Sequence, residues 1–537
     1  MNNIICRDNI RNKFWQQNRI EVPRYSLVDM ETATVKTPKW IHFGAGNIFR
    51  IFIAGLADDL LNEGLENTGI IVAECFDREI PKKIYIPHDN LTLAVTMLSD
   101  GTFEEKIIGS VAKCFMCGKD EDMSWQAMKA YVIQPELQLI SFTITEKGYK
   151  LTNSEGEYLP AVKQGMENGP GPSDSIIIYI ASLLWERFRA GGRPIALVSM
   201  DNCSQNGKIL QSSVIEIIDH WVANGIVSKE FKDYVADPSS VSFPWTMIDK
   251  ITPRPSEEIK QKLETEGVCG LDIVKTKKGT YISAFVNAEK TQYLVAEDRF
   301  PNGRPCLERA GVIFTDRDTV EKVEAMKVTA CLNPLHTALA IFGCLLNYDS
   351  IAGEMKNESL LSLIRRIGYD EALPVVDDPK IVDPKKFIDE VINERLPNPY
   401  IPDTPQRIAT DTSQKLAIRY GKTIKKYIDR GMDIRKLTGT SLVIAGWLRY
   451  LTGVDDEGRL FTLSDDPALE WVCPIVRKAI ETDDLNCLDE ILNNKDIFLV
   501  DLVKENMASR IKVMFSEMLP ENGVKNVLVK NMSEGYI

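Results

Sequence analysis

The stretch Pro38-Lys-Trp-Ile-His-Phe43-Gly44-Ala-Gly46-Asn-Ile-Phe-Arg50 decides the fold of the N-terminal part of this 537-residue chain. Its first half is a short apolar run typical of a buried strand, and its two glycines predict a tight turn. A helical pattern follows, whose apolar residues fall on one side: Phe49, Ile53, Leu56, Leu60 and Leu61. The order of strand, glycine turn and helix predicts the start of a βαβ unit.

A second strand completes this unit. Gly69-Ile-Ile-Val-Ala73 ends at Glu74, with Asp77 close behind, and this order is typical of the dinucleotide-binding unit of a Rossmann fold. The glycines let the backbone approach a pyrophosphate, and the helix N-terminus supplies N–H donors and a positive dipole. An acid at the end of the second strand can hold the adenosine ribose, which favours NAD over NADP. Glu74 and Asp77 are both candidates for that acid.

The glycine fingerprint is incomplete. Phe49 stands where a third Gly or Ala is expected, and Gly44 lies further from Glu74 than the usual ~20 residues. A Gly-x-Gly pair alone often marks only a tight turn. We favour the nucleotide-binding interpretation because both strands, the helix and the acid accompany the pair.

The length predicts two domains, since 537 residues exceed what one hydrophobic core usually supports. Further strands are expected at 137–145 and 193–200, with a helix at 175–189 between them. From about residue 318 onward, helical periodicity dominates. We therefore predict an α/β Rossmann-type domain over residues 1–315 and a mostly α-helical substrate and catalytic domain over residues 316–537.

Composition limits the partners. The net charge of −13 argues against nucleic acid, because binding to phosphates requires a basic surface. No apolar run reaches the roughly 18–20 residues that span a bilayer, and the N-terminus lacks the apolar core of a signal peptide. Eleven scattered cysteines are typical of reduced thiols in a cytoplasmic enzyme. We expect a small-molecule substrate, no nucleic acid or membrane partner, and a monomer or small homo-oligomer.

One cysteine pair has the spacing of a metal or redox site. Cys114-Phe-Met-Cys117 matches half of a zinc ribbon or a redox dithiol. A zinc site needs two further ligands, and the sequence contains no second CxxC and no HxxxH. We therefore interpret the pair as two thiols in a partly buried strand or turn, and expect no metal.

Most of the chemistry-bearing side chains lie in a second stretch, Glu324-Ala-Met-Lys327-Val-Thr-Ala-Cys-Leu-Asn333-Pro-Leu-His336. Asn333 and His336 are three residues apart and project from one face of a helix. A lysine can exchange a proton with an alcohol or ketone, and Asn and His can hold that oxygen. The combination favours alcohol–ketone redox chemistry without a metal. The alternative is that Lys327 is a helix-end cation and His336 a core histidine.

Several segments together resemble the mannitol dehydrogenase family, the polyol-specific long-chain dehydrogenases. The resemblance extends from about Trp40 to Lys415. The segments that carry it are Gly44-Ala-Gly46 with Arg50, Thr143 to Tyr149, Ser199 to Asn202, Met247 to Pro253, Asp298 to Pro301, Glu324 with Lys327, Asn333 to Ala340, and Arg407 with Lys415.

The resemblance implies an NAD-dependent, metal-independent enzyme whose active site lies in the cleft between its two domains. It implies that Lys327 is the general acid/base, that Asn202 and Asn333 bind the oxyanion, that His336 binds substrate, and that Glu324 lies near the proton path. It also implies substrate-binding roles for Asp249, Arg407 and Lys415. The predicted cofactor-binding residues are Gly44, Gly46, Asn47, Arg50, Glu74, Asp77, Thr145 and Glu146.

One spacing departs from the family pattern. Five residues separate Lys327 from Asn333 here, whereas the family has four. At about 100° per residue, the extra position rotates Lys327 away from the Asn333–His336 face of a regular helix. We predict either that Lys327 lies in a turn before the helix or that a π-bulge absorbs the extra residue, as often happens at functional sites.

The substrates within the family differ in charge. Mannitol and fructose are neutral, whereas mannonate and fructuronate carry a carboxylate that a cation would recognise. Lys250 and Arg254 are candidates for additional positive charge, although we favour ordinary solvated charges. Length and overall similarity favour reduction of D-fructuronate by NADH to D-mannonate. Mannitol oxidation, tagaturonate reduction and an NAD-binding sugar sensor without turnover remain the alternatives.

Overall fold

The computed structural model describes residues 3–532, which fall into two compact units. Unit 1 contains the residues up to Leu98 and Thr102–Glu321, and unit 2 contains Ser99–Gly101 and the residues from Lys322 onward.

Unit 1 contains the strands and ten of the α-helices found within residues 3–532. The strands are β1 (Asn3–Ile4), β2 (Trp40–Phe43), β3 (Ile70–Glu74), β4 (Thr92–Met97), β5 (Phe103–Ile108), β6 (Val111–Met116), β7 (Leu139–Phe142), β8 (Ile195–Ser199), β9 (Val241–Ser242), β10 (Thr246–Asp249), β11 (Val268–Cys269), β12 (Val274–Lys275), β13 (Tyr281–Ile282), β14 (Phe285–Glu289), β15 (Tyr293–Glu297) and β16 (Ile313–Thr315). Its helices are Lys13–Gln17, Leu27–Lys36, Ala54–Asn62, Asp122–Val132, Thr145–Gly148, Pro160–Asn168, Ile176–Arg189, Asn206–Ala223, Lys229–Ala236 and Glu257–Thr265, with π-helical turns at Phe49–Ile53 and Pro81–Tyr85.

A six-stranded sheet organises unit 1, with the strand order β6-β3-β2-β7-β8-β9. All of its neighbouring strands are parallel. This is the strand order of the dinucleotide-binding fold, and its switch point lies between β2 and β7. Ligands bind such sheets in the crevice beyond the carboxyl ends of the strands at the switch point.

Both faces of this sheet are covered, which explains why its central strands are apolar throughout. Ile41 and Phe43 point into a core that includes residues of the helices Ile176–Arg189 and Asn206–Ala223. Trp40 points into the opposite core, which includes Phe49 and residues of Ala54–Asn62. Ser175 caps the helix that begins at Ile176, because its side chain accepts a hydrogen bond from the Ile178 N–H.

Smaller sheets complete unit 1. The strands β14, β4 and β5 form one, β10, β15 and β16 form a second, and β1 with β11 and β12 with β13 form two-stranded pairs. Asp249 ends β10, where it lies opposite Tyr293 of the antiparallel strand β15. The second small sheet therefore fixes the backbone of this candidate residue.

Unit 2 is helical. The helix Arg317–Met326 leads into it, and its own helices are Asn333–Leu345, Ile351–Glu354, Glu358–Arg365, Pro384–Glu390, Pro405–Ala409, Thr412–Leu416, Lys422–Asp429, Thr438–Tyr450, Leu469–Glu481, Asp489–Leu492, Lys495–Phe498, Ala508–Glu517 and Gly523–Met532. Its π-helical turns are Lys327–Cys331, Arg366–Ala372, Val391–Arg395 and Ala417–Gly421. The short 3₁₀ turns of the chain are Leu307–Ala310, Leu373–Val375, Ile434–Lys436 and Leu485–Leu488. The predicted α/β domain followed by a mostly helical domain is confirmed.

Two buried helices form the centre of unit 2. In Thr438–Tyr450 every residue is buried, and in Asn333–Leu345 nearly every residue is. They pack closely, since a Cβ added to Gly446 would lie 2.8 Å from the Phe342 ring. The helical run Arg317–Leu345 is long and apolar enough by composition to cross a membrane, but 83% of its most apolar window is buried inside the protein. The core helix of a water-soluble protein has the same properties.

Candidate active site

The glycine turn after β2 has the geometry of a phosphate-binding turn. Gly44 has a φ of +110°, and a Cβ there would lie 2.3 Å from the carbonyl oxygen of Thr143, so a side chain is excluded. At Gly46 a Cβ would meet no atom within 4 Å. The side-chain oxygen of Asn47 is buried and accepts no hydrogen bond from the described residues. Open space and an unsatisfied polar atom at a helix start fit the predicted dinucleotide.

Phe49 explains why the third glycine is missing. Its ring stacks on the buried ring of His42, with 4.1 Å between centroids. His42 in turn contacts Ser141 at 2.6 Å and Thr143 at 2.9 Å. Phe49 therefore packs the helix onto β2 through an aromatic contact. In the full fingerprint, a glycine at this position lets the helix pack closely against the strand.

Glu74 supports the glycine turn directly. Its carboxylate accepts hydrogen bonds from the backbone N–H groups of Ala45 at 2.7 Å, Phe76 at 2.8 Å and Asp77 at 2.9 Å. Burial raises the pKa of the Glu74 carboxyl, against the lowering effect of these bonds. The Asp77 carboxylate instead accepts a bond from the Thr276 hydroxyl at 2.6 Å. Glu74 is thus the acid in contact with the turn.

Arg50 lies inside the protein. It is 1% exposed, and it donates to the Thr92 hydroxyl at 3.2 Å and to the Ala284 carbonyl at 3.3 Å. Burial lowers its pKa to about 10. These bonds tie the π-helical turn Phe49–Ile53 to β4 and to the residue before β14. A direct contact of Arg50 with cofactor stays a prediction.

The loop after β7 is held in an unusual conformation. Thr145 has a φ of +63°, which is strained for a β-branched residue and is typical of functional sites. The Asp201 carboxylate accepts hydrogen bonds from the N–H groups of Ile144 and Thr145, both at 2.9 Å, and from the Tyr149 hydroxyl at 2.6 Å. Burial raises the pKa of Asp201.

Asp201 therefore brings together two of the predicted regions. Its carboxylate holds the backbone of Thr145, and the exposed Asn202 follows it directly in the chain. Glu146 is 66% exposed at its side chain and faces Lys150 at 3.6 Å. These residues lie beyond the carboxyl ends of β7 and β8, where open α/β sheets bind ligands.

The two additional cations considered for the substrate are engaged within unit 1. The Lys250 ammonium donates to the Glu289 carbonyl at 2.6 Å, and the Arg254 guanidinium lies 4.6 Å from the centroid of the Tyr281 ring. Asp249, which precedes Lys250, is 5% exposed.

In unit 2 a π-helical turn, Lys327–Cys331, separates two α-helices. The Leu332 N–H donates to the Lys327 carbonyl at 3.1 Å, an i to i+5 bond that accommodates one extra residue. The predicted π-bulge is confirmed. Pro334 is tolerated because it lies in the first turn of Asn333–Leu345.

Lys327 is buried by this turn, with 4% of its surface exposed. Asn333 is half-buried as the first residue of the following helix, and His336 lies one turn later. Glu324 is half-buried on the helix Arg317–Met326, which precedes the π-turn.

The surroundings of His336 disfavour its charged form. Its Nε2 lies 3.2 Å from a carboxylate oxygen of Asp403, although it forms no regular hydrogen bond with the described residues. Burial lowers its pKa to about 3, and the positive charges of Arg419, Arg395, Arg407 and Lys415 add to this effect. A neutral imidazole can hold a substrate hydroxyl as donor or acceptor.

Arg407 and Lys415, eight residues apart, both contact the segment 403–410. Arg407 donates to the Asp403 carboxylate. The Lys415 ammonium donates to the carbonyls of Ile408, at 3.2 Å, and Thr410. Burial lowers the pKa of Lys415, and Arg419 lowers it further.

The Cys114–Cys117 pair lies at the end of β6 and in the residue that follows it, and all eleven cysteines are free thiols. Within residues 3–532, no group of three or more His, Cys, Asp or Glu side chains is arranged to hold a metal.

Three functional candidates were missed by the sequence analysis: Asp201, Asp403 and Arg419. Asp201 lies inside a segment that carried the resemblance, one residue before Asn202. Asp403 lies four residues before Arg407, and Arg419 lies four residues after Lys415. Helical i, i+4 spacing is the signal that would have revealed the last two.

The parallel sheet with a glycine turn at its switch point, together with a helical unit that carries a buried lysine, is the arrangement expected of a nucleotide-dependent oxidoreductase. The model of the mannitol dehydrogenase Rossmann domain matches residues 38–309, and the model of the mannitol dehydrogenase C-terminal domain matches residues 319–519. The chain belongs to the mannitol dehydrogenase family, and the predicted resemblance is confirmed.

Individual relatives agree with this assignment. A D-mannonate oxidoreductase from Thermotoga maritima is 51% identical over 512 residues, which cover 94% of each chain. A mannitol 2-dehydrogenase from Pyrenophora tritici-repentis is 29% identical over 80% of this chain and 72% of its own. The solved structure of Pseudomonas fluorescens mannitol 2-dehydrogenase in ternary complex with NAD and D-mannitol is 25% identical, with a TM-score of 0.68 over 99% of this chain and 100% of that chain.

Proposed function

We propose that this chain catalyses the NAD-dependent interconversion of D-fructuronate and D-mannonate. The observation that carries the proposal is the pair of buried or half-buried arginines that act on His336, namely Arg395 and Arg419. Positive charges that are partly buried favour an anionic ligand, because a neutral polyol offers no charge to compensate them. The 51% identical D-mannonate oxidoreductase supports a sugar acid as that ligand.

The cofactor is NAD, and residues 1–315 hold it. The turn from Gly44 to Asn47 binds the pyrophosphate through backbone N–H groups and the helix N-terminus. Glu74, whose carboxylate contacts the turn, is the stronger candidate for the ribose, and Thr145 and Glu146 supply further contacts. Bound NADH supplies the hydride that reduces the ketone carbon.

Three of the predicted site residues are assigned to the chemical step. Lys327 donates a proton to the developing alkoxide in the reducing direction. The side-chain N–H groups of Asn202 and Asn333 stabilise the negative charge on that oxygen as it forms.

The remaining candidates orient the sugar and relay the proton. His336 binds a substrate hydroxyl as a neutral imidazole, and Asp249 accepts hydrogen bonds from other hydroxyls. Arg407 and Lys415 bind distal oxygens. Glu324 exchanges protons between Lys327 and solvent.

We place the enzyme in the cytoplasm as a monomer or small homo-oligomer, without nucleic acid or membrane partners. The eleven free thiols suit a reducing compartment, and the net charge of −13 disfavours phosphate polymers and anionic membrane surfaces.

NADH oxidation with D-fructuronate, D-tagaturonate and D-fructose tests the proposal. We expect the highest kcat/KM with D-fructuronate. A clear preference for D-fructose or D-tagaturonate would reject the substrate. Binding of NADH without turnover of any of the three would reject the catalytic role and favour a sensor.

A further inference from the structure

The four cations that act on His336 differ in what they already bind. Arg407 is paired with the Asp403 carboxylate, whose other oxygen faces His336. Lys415 donates to two backbone carbonyls. Arg395 is 3% exposed at the end of the π-turn Val391–Arg395. Of these three cations, Arg407 is therefore paired with an acid, Lys415 is directed at the backbone, and Arg395 is buried.

Arg419 is different. It is half-buried in the middle of the π-turn Ala417–Gly421, and one of its N–H groups donates to the Thr337 hydroxyl. A hydroxyl is neutral and does not compensate the charge. Among the described residues no carboxylate forms an ion pair with Arg419. Burial lowers its pKa to about 10, which leaves it fully charged at neutral pH.

The guanidinium of Arg419 is therefore available to bind an anion. Arginine has five N–H donors in a fixed fork that fits a carboxylate with two parallel hydrogen bonds. Thr337, the hydroxyl that orients Arg419, follows His336 in the same helix. The π-turn and Thr337 thus hold the guanidinium of Arg419 near His336, which we assign to substrate binding. No carboxylate of the described residues compensates the charge of this guanidinium.

We infer that Arg419 binds the carboxylate of the sugar-acid substrate and thereby distinguishes keto-hexuronates and aldonates from neutral polyols. The inference rests on the proposed function for the identity of the substrate. It assigns the charge recognition to Arg419, whereas the paired Arg407 and the backbone-bound Lys415 hold neutral oxygens.

The test compares Arg419→Gln, Arg419→Lys and the wild type with D-fructuronate and D-fructose. In Arg419→Gln we expect the KM for D-fructuronate to rise roughly 10- to 100-fold, because a charge-assisted bidentate contact is lost. We expect kcat to change much less, and kcat/KM for D-fructose to stay equal or rise. Arg419→Lys, which keeps the charge but lacks the fork, should fall between the two.

A matched control is Arg430→Gln, which removes an exposed arginine of the same unit that pairs with Asp377 and should leave both KM values unchanged. The melting temperature and NADH affinity of each variant report folding. Calorimetric binding of D-mannonate and D-mannitol adds a measurement that does not require turnover. We expect wild type to prefer D-mannonate and Arg419→Gln to lose that preference.

The outcomes separate the two proposals. If the wild type does not reduce D-fructuronate but its preference for D-mannonate disappears in Arg419→Gln, the proposed function fails and the role of Arg419 stands. Equal losses with D-fructuronate and D-fructose, or an unchanged preference for D-mannonate, would overturn the role of Arg419 whether or not the enzyme reduces D-fructuronate. If Arg419→Gln does not fold, Arg419→Lys decides instead, through the ratio of kcat/KM for D-fructuronate to kcat/KM for D-fructose.

Discussion

The candidate residues of unit 1 and unit 2 are held in place by opposite means. In unit 1, the buried carboxylates of Glu74 and Asp201 accept hydrogen bonds from backbone N–H groups and so fix the loops that follow β2 and β7. In unit 2, Lys327, Arg395 and Arg419 all lie in π-helical turns, and positive side chains dominate the surroundings of His336.

This difference follows from what each part has to recognise. A dinucleotide is bound largely through its phosphates and ribose, and the phosphates are held by main-chain N–H groups of the protein. Binding by unit 1 therefore depends on the conformation of its main chain. A small sugar acid is recognised by side chains that must converge on a few oxygens. A π-turn inserts one residue into a helix and redirects the side chains around it without ending the helix.

The largest effect is expected from Lys327→Ala. Removal of the acid/base should lower kcat/KM about 10²- to 10⁴-fold, because the alkoxide then loses its proton donor. NADH binding, which we assign to unit 1, should persist. Lys322→Ala, on the exposed face of the preceding helix, is the control and should retain full activity. Steady-state kinetics decide, and a Lys327→Ala enzyme within tenfold of wild type would refute the assignment.

Insertion of one alanine after Val328 should have the next largest effect. The π-turn already absorbs one extra residue, so a second one rotates Lys327 by about 100° relative to Asn333. We expect kcat to fall roughly 100-fold or more while the protein stays folded. Deletion of Val328 allows an ordinary α-helical turn with the four-residue spacing of the family and should remain active. Wild-type kcat in the insertion variant would show that this spacing has no part in placing Lys327.

Asp201→Asn tests the carboxylate supports of unit 1. The amide nitrogen replaces one carboxylate oxygen and cannot accept, so either the bond from Thr145 or the bonds from Ile144 and Tyr149 are lost. We expect a loss of about 1–3 kcal/mol in the free energy of unfolding and a roughly tenfold lower kcat/KM. Urea denaturation and kinetics measure the two. Asp219→Asn, which breaks an exposed pair with Lys232, should cost less than about 1 kcal/mol; equal losses in both variants would contradict the special role of Asp201.

Glu74→Gln should weaken NADH binding by about tenfold, since one support of the glycine turn and one ribose acceptor change together. Fluorescence titration with NADH provides the measurement, with Glu63→Gln at the exposed C-terminal end of the helix Ala54–Asn62 as control. Asp77→Asn decides between the two acids. If it weakens NADH binding more than Glu74→Gln, Asp77 holds the ribose.

The smallest effect concerns pH and His336. Its pKa of about 3 in the folded protein lies below its ordinary value of 6.5, so folding favours the neutral ring. The corresponding stability is fully present above about pH 6.5 and is lost as pH falls toward 3. Between pH 6.5 and 4, the melting temperature of His336→Asn should therefore fall by roughly 2–4 °C less than that of the wild type. The control His220→Asn should follow the wild type, and a parallel fall in both variants would contradict the shift.

The local patterns of the sequence were sufficient for the fold class. Apolar strands, the glycine turn and an acid at a strand end predict the Rossmann sheet, because these features are set by residues close together in the chain. The one-residue excess between Lys327 and Asn333 even predicts the π-turn, since helical geometry leaves few ways to accommodate it.

Tertiary contacts decided the rest. The sequence by itself determined which half of the chain holds the nucleotide-binding fold and which half is helical, and it predicted the residue types that carry the chemistry. Only the tertiary structure decided that Glu74 supports the glycine turn, that Asp201 fixes the strained Thr145, and that Phe49 replaces a glycine by stacking on His42. It alone revealed that Arg419 carries an uncompensated charge. The physical reason is that charge compensation and hydrogen bonding depend on distances between residues far apart in sequence, which periodicity does not encode.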